Sequence, residues 1–167
     1  MIDKRYFILR NREKLVKCNG FGDIFELVKQ ITFEILKLRR AGLSLYLAYI
    51  PKYILAYHIM GSNTIVMNKA ILDVILPKKD IEYVNSYIFV VLLHEYLHSL
   101  GFYDEFEVRR LTSKIILEAF GEDHISNKMI GKELIEIFPE IKEIPIFYKN
   151  YYEVVRDFDK SNTTYIV

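Results

Sequence analysis

The spacing of apolar residues predicts two kinds of element in the first part of the chain. From Ile24 to Leu38, apolar side chains recur every three or four positions, which predicts an amphipathic helix that starts after an N-cap at Asp23 and extends to Arg40. The short apolar run Tyr6–Leu9 favours a strand instead. We therefore expect a strand near the N-terminus, followed by a helix that buries one face.

A change to alternating periodicity after this helix predicts a small sheet. Strands are expected over Leu43–Pro51, Tyr53–Met60 and Thr64–Asn68. The turn sequence Gly61-Ser62-Asn63 connects the last two strands, so these two should run antiparallel. A short helix over Lys69–Leu76 should follow the sheet.

The longest predicted helix covers residues 81–100. Asp80 is placed to cap its N-terminus, and Gly101 is placed to end it. Its middle, Tyr87–Leu93, is apolar on all sides, which indicates a helix that other elements cover.

Two further helices are predicted, one over residues 105–120 behind an N-cap at Asp104 and one over residues 128–138. The predicted fold class is therefore α+β: a small twisted sheet with an antiparallel edge strand, packed on a central helix and followed by an acidic helix.

Composition and charge narrow the class of protein. A length of 167 residues fits one domain, 1–167, in which we expect a catalytic unit over about 23–121 and a C-terminal extension over 122–167. The hydrophobic fraction of 51% excludes a disordered chain. Because 23 basic residues nearly balance 22 acidic ones, no nucleic-acid partner is expected.

The sequence also predicts a cytoplasmic protein without a membrane partner. Cys18 is the only cysteine, so no internal disulfide can form. The charged residues within Met1–Arg10 are unlike a signal peptide. The uncharged run Tyr83–Leu93 is too short to span a bilayer.

The end of the central helix carries the sequence His94-Glu95-Tyr96-Leu97-His98. Positions four apart lie on one face of a helix, so both imidazoles can bind one metal ion. Glu95 is close enough to reach a water on that metal without ligating it. A zinc peptidase needs two neutral imidazoles, an open coordination site and a carboxylate base. We predict His94 and His98 as metal ligands and Glu95 as the catalytic base.

The order of elements over about residues 43–120 resembles the zincin metallopeptidases. This resemblance implies Zn²⁺ as the cofactor and a peptide or protein as the substrate. The metal lowers the pKa of a water, and Glu95 takes the water's proton and passes it to the leaving amine. The resemblance also implies an edge strand that binds extended substrate by main-chain pairing, and Thr64–Asn68 is the expected strand.

Asp104, Glu107 and Glu118 compete to be the third ligand, and Glu118 is excluded because it lies about 20 Å along its helix from Asp104. The stretch Glu107–Leu111 resembles the glutamate helix of the small gluzincins called minigluzincins, and Glu107 comes level with His98 if the chain reverses after the central helix. Asp104 has the spacing of the metzincin clan, although it also fits as an N-cap. We predict Glu107, with Asp104 as the alternative and Glu105 as the third choice.

Two other functions stay open at this point. The pattern His94-x-x-x-His98-x-x-Gly101-x-x-Asp104 also resembles the bacterial rRNA-maturation endoribonucleases. However, Asp104 stands where that family has a third histidine, and Glu95 stands where it has glycine. The second alternative is a non-catalytic metal-binding protein on a peptidase scaffold. The presence of Glu95, the expected base, argues against this alternative.

The extension after Gly121 is too apolar to stay exposed. Its apolar residues are Ile141, Ile144, Ile146, Phe147, Tyr148, Tyr151, Tyr152, Val154, Val155 and Phe158. We expect them to complete the core. The alternatives are a segment that covers the cleft, as the resemblance to minigluzincins implies, and a surface that joins two copies in a homo-oligomer. His124, in the loop after Gly121, is expected to be solvated.

Overall fold

A computed structural model describes residues 3–132, 134–144 and 150–160. The described residues form helices and a four-stranded mixed sheet, which confirms the predicted α+β class. The helices are α1 (Lys4–Lys17), α2 (Phe21–Leu36), α3 (Lys69–Ile75), α4 (Ile81–Ser99), α5 (Glu105–Phe120), α6 (Ile125–Lys128), α7 (Leu134–Ile137) and a 3₁₀ helix (Pro139–Glu143). The strands are β1 (Ser44–Ala48), β2 (Ala56–His58), β3 (Thr64–Asn68) and β4 (Tyr152–Val154).

The sheet has the strand order β2-β3-β1-β4. β1 and β3 are parallel, whereas β2 pairs with β3, and β4 with β1, in the antiparallel sense. The predicted hairpin between the second and third strands is therefore confirmed. The prediction that Thr64–Asn68 is the edge strand is wrong, because the parallel pairing of β1 with β3 places β3 inside the sheet. The antiparallel edge strand nearest the long helix is β2.

Helix α4 is central, as its apolar middle predicts. It packs against α1, α2, α5, α6 and β2. The side chain of Asp80 caps the helix by accepting a hydrogen bond from the amide of Tyr83. Phe89, Leu92 and Leu93 are completely buried. Across the described residues, no helix combines the length and the apolar character needed to cross a membrane.

The N-terminal prediction is wrong, because Tyr6–Leu9 lies within α1 and not in a strand. Asp3 caps this helix by accepting a hydrogen bond from the amide of Arg5. The buried face of α1 includes a polar residue, Asn11, whose side-chain amide donates to the carbonyl of Ala119. A helix whose buried face is partly polar escapes a search for apolar periodicity.

Three helix boundaries also differ from the predictions. Helix α2 begins at Phe21 behind an N-cap at Gly20, so the prediction of Asp23 as its N-cap is wrong. Helix α2 ends at Leu36, before Arg40, because Lys37 adopts the left-handed conformation with φ 60°. The single helix expected over residues 128–138 is two short helices, α6 and α7. Gly131, with φ 72°, interrupts the helical path between them.

His124 is buried and not solvated, with 4% of its surface exposed. Its Nδ1 accepts hydrogen bonds from the hydroxyl and the amide of Ser126, so His124 caps α6. Burial is the largest cause that lowers the pKa of His124, to about 4. This histidine is a neutral structural residue of the core.

The C-terminal extension belongs to the same hydrophobic core as the rest of the chain. Its buried apolar residues include Met129, Phe138, Ile141, Ile144 and Phe158. The ring of Phe158 stacks on that of Phe25, with 4.2 Å between centroids. Tyr151, Tyr152 and Val154 are exposed, whereas Ile146, Phe147 and Tyr148 lie outside the described residues.

A buried ion pair anchors the end of this extension. Nζ of Lys29 lies 2.7 Å from Oδ1 of Asp159, and the two side chains are 1% and 0% exposed. The other oxygen, Oδ2, accepts hydrogen bonds from the amides of Gly42 at 2.8 Å and Leu43 at 3.1 Å. Asp159 thus ties the C-terminal segment to α2 and to the start of β1.

We expect Asp159→Ala to lower the free energy of unfolding by about 3–5 kcal/mol, because it removes a partner of a buried cation and the acceptor of two amides. Urea denaturation measures this loss. The matched control is Glu13→Ala, which removes an exposed ion pair with Lys17 and should leave stability nearly unchanged. Equal, small effects of both substitutions would show that the ion pair does not anchor the extension.

Candidate metal centre

The site is built on the turn that joins α4 to α5. Gly101 adopts φ 102°, a conformation that glycine takes without strain. The amide of Phe102 donates to the carbonyl of Leu97, and the amide of Gly101 donates to the carbonyl of His98. This pair of hydrogen bonds is the Schellman motif. It ends α4 one residue after His98, the last residue of the histidine motif, and turns the chain into α5.

Three side chains with metal-ligating atoms meet at this turn: His94 and His98 from α4, and Glu105 from α5. One ligand atom from each lies within 4.8 Å of the others, and no other such group occurs in the part of the chain that the structure describes. Nε2 of His98 is 2.8 Å from Oε1 of Glu105. Nε2 of His94 is 3.4 Å from Oε2 of the same carboxylate.

The hydrogen bonds of His98 require a cation at this point. Its Nδ1 is 2.8 Å from the carbonyl oxygen of Phe102. A carbonyl oxygen only accepts hydrogen bonds, so Nδ1 carries the proton, and in a neutral imidazole Nε2 then has a lone pair. That lone pair faces a carboxylate oxygen of Glu105 at 2.8 Å. Two acceptors this close need a positive charge between them, either a proton on Nε2 or a metal ion.

The three residues fit a divalent metal ion. Ligands at about 2.0–2.2 Å from a tetrahedral zinc lie about 3.4 Å apart. Nε2 of His94 lies 3.4 Å from Oε2 of Glu105, which equals that separation, and Nε2 of His98 lies 2.8 Å from the other oxygen, Oε1, which needs a small opening. Two imidazoles and one carboxylate leave the fourth position of such a site open. The backbone partner of His98 also fixes the orientation of its ring.

The structure brings Glu105, and not Glu107 or Asp104, to the two histidines. Asp104 acts as the N-cap of α5, with Oδ1 accepting from the amide of Glu107 at 2.8 Å. Glu107 is two residues beyond Glu105, so it points about 200° away around the helix axis. The sequence does carry a signal that favours Glu105, because this residue is the first of α5. Side chains of a helix tilt toward its N-terminus, so Glu105 leans toward the turn that follows His98.

Glu95 is not one of the three side chains that could hold a metal ion, but it is close enough to His98 and Glu105 for both to affect its pKa. Only 6% of its surface is exposed. Burial has the largest effect on the pKa of Glu95, which is raised to about 7. The next largest effect comes from His98 and lowers this pKa. A backbone hydrogen bond from His58, on β2, also favours the ionised form. A carboxyl group whose pKa is close to neutral is suited to accept and release a proton.

The edge strand β2 lies next to the metal-binding end of α4. Its His58 faces the helix side of the sheet, with Nε2 donating to the carbonyl of Ser62 at 3.1 Å. Burial lowers the pKa of His58, so this imidazole is neutral. Large apolar side chains are exposed on both sides of the site, with Met60 at the hairpin turn and Phe106 after Glu105.

The comparisons with known proteins add no family to these observations. A scan against protein-family models, a search of curated proteins and a search of solved structures each gave no match to this chain.

Proposed function

We propose that this protein is a zinc-dependent peptidase of the zincin type, with His94, His98 and Glu105 as metal ligands and Glu95 as general base. One observation carries the proposal: Nε2 of His98 lies 2.8 Å from a carboxylate oxygen of Glu105, next to a second imidazole. A metal ion between these side chains supplies the positive charge that this contact needs when His98 is neutral. Two imidazoles, one carboxylate and an open position form the ligand set of catalytic zinc.

Each residue of the site has a separate task in this proposal. When bound, Zn²⁺ lowers the pKa of a water and polarises the scissile carbonyl. Glu95 accepts the proton of that water and donates it to the leaving amine, which its buried position and its pKa of about 7 favour. His98 is held in one orientation by the carbonyl of Phe102, so its ligating nitrogen always faces Glu105.

The proposed substrate is an extended peptide. Strand β2 is the edge strand beside α4, and an extended chain can add to such an edge through main-chain hydrogen bonds. The backbone of His58, on this strand, is close enough to Glu95 to lower the pKa of that carboxyl group. A peptide paired with β2 would thus pass close to both the base and the ligands.

RNA is the less well supported substrate. The carboxylates of Glu95 and Glu105 lie at the site, and they repel the phosphates of an RNA backbone.

The proposal includes a cytoplasmic location. It rests on Cys18, whose thiol is buried, with burial raising its pKa to about 11, so this cysteine is an inert part of the core.

Metal-dependent peptide cleavage tests the proposal. The protein is stripped with a chelator, reloaded with one equivalent of Zn²⁺ and incubated with a mixed peptide library and, separately, with an RNA oligonucleotide. We expect new peptide termini, detected by mass spectrometry, only in the zinc-loaded sample. A zinc-loaded protein that cleaves nothing would indicate a binding protein, and cleavage of the RNA alone would indicate a nuclease.

A further inference from the structure

We propose that Arg40 is a positioning residue, which fixes strand β2 against α4 and so aligns an extended substrate with the metal centre. Arg40 lies between α2 and β1, outside the histidine motif. This inference rests on the proposed function, because it assigns a task within that reaction.

The guanidinium group of Arg40 joins the end of the metal-binding helix to the β2–β3 turn. Nη1 donates to the carbonyl of Ser99, the last residue of α4, at 2.5 Å. Nη2 donates to the carbonyl of Ser62 at 3.1 Å and to Oδ1 of Asn63 at 2.9 Å. An arginine that only satisfied the helix end would not need the two contacts with the turn.

The backbone of Arg40 is held by the histidine motif itself. Its amide donates to the hydroxyl of Tyr96 at 2.8 Å, and that hydroxyl donates to the carbonyl of Arg40 at 3.3 Å. Tyr96 is completely buried and occupies a position between the two histidines. The guanidinium group therefore projects from a point that is fixed relative to the ligands.

Arg40 gives β2 a second attachment to α4. The first is the direct packing of β2 against this helix. The second, through Arg40, lies at the C-terminal end of the helix. Two attachments fix both the separation and the angle between the strand and the helix. A planar guanidinium can bridge several carbonyl groups at once, which an ammonium group on a single stem cannot do in the same geometry.

The test compares Arg40→Met with the neighbouring, exposed control Arg39→Met, both loaded with zinc. Two substrates are used: a peptide of about ten residues that the wild type cleaves, and a minimal substrate with the same scissile bond and no flanking residues. We expect Arg40→Met to bind zinc normally and to lose about 10- to 100-fold in kcat/KM on the long peptide. The loss on the minimal substrate should be several times smaller.

A second measurement does not depend on activity. Hydrogen exchange at the amides of Ile59 and Ser62, which bond within the β2–β3 turn, should become faster in Arg40→Met and stay unchanged in Arg39→Met. If Arg40→Met does not fold, Arg40→Lys takes its place in both measurements.

Equal losses on the two substrates, or unchanged exchange in the turn, would overturn the positioning role of Arg40. A zinc-loaded wild type without any peptide cleavage would instead remove the proposed function, and with it this role. The two failures are thus distinguished by the wild-type control.

Discussion

Replacing Glu95 with glutamine should leave zinc binding intact and lower peptide hydrolysis by about 10²- to 10⁴-fold. The substitution keeps the shape of a side chain that is 6% exposed, but it removes the group that accepts the proton. Because Glu95 is not among the three ligating side chains, the metal should stay bound with full stoichiometry. Initial rates on a cleaved peptide and the zinc content of the same sample measure both effects.

Two results would contradict this account of Glu95. Activity equal to that of the wild type would show that the reaction does not use this carboxylate as its base. Loss of zinc together with activity would show that Glu95 is a ligand, and it would then need a place among the residues around the metal. Circular dichroism of the variant controls for a change in fold.

Replacing Glu105 with alanine should weaken zinc binding by more than about 100-fold. Removing a residue that only orients a ligand lowers metal affinity by about 10- to 100-fold. Removing a direct ligand should lower it further. The carboxylate of Glu105 is the one that the structure places beside both histidines. Competition with a chromophoric chelator gives the zinc affinity of the wild type and of each variant.

Glu107→Ala is the matched control for this measurement, because it removes the same side chain two positions further along α5. We expect it to leave the zinc affinity within a few-fold of the wild-type value, since Glu107 lies about 200° around the helix axis from Glu105. The opposite pattern would restore the ligand set expected from the resemblance to minigluzincins. An effect of Asp104→Asn as large as that of Glu105→Ala would support the metzincin-like set.

Features with a local signal could be predicted from the sequence. The apolar middle of α4 between Asp80 and Gly101 gave both the position of the helix and its central place. The turn residues after β2 gave the antiparallel pairing with β3. The spacing of His94 and His98 predicts that both imidazoles lie on one face of the helix. In the structure their ring centroids are 5.0 Å apart.

Features that depend on contacts between distant residues could not be predicted in this way. The edge position of β2 follows from the parallel pairing of β1 with β3, which no turn sequence encodes. The choice between Glu105 and Glu107 depends on the rotation of α5 about its own axis, which is set by packing. Glu105 is three residues before the buried Val108, on the side of the helix that packs on α4.

The C-terminal segment illustrates the same limit. Its apolar composition predicts burial, and Phe158 is indeed buried, but composition does not say against which element. The buried pair between Lys29 and Asp159 joins residues that are 130 positions apart in sequence. A lysine inside an amphipathic helix is ordinarily solvated, so the sequence gives no sign that this one is enclosed.

The central claim is that a divalent metal binds between His94, His98 and Glu105. Anomalous diffraction at the zinc edge, from crystals of the wild type grown with one equivalent of Zn²⁺, tests it most directly. We predict one strong peak at about 2.0–2.2 Å from Nε2 of each histidine and from an oxygen of Glu105. No peak at this turn, or a peak whose third protein ligand is Glu107 or Asp104, would contradict the claim.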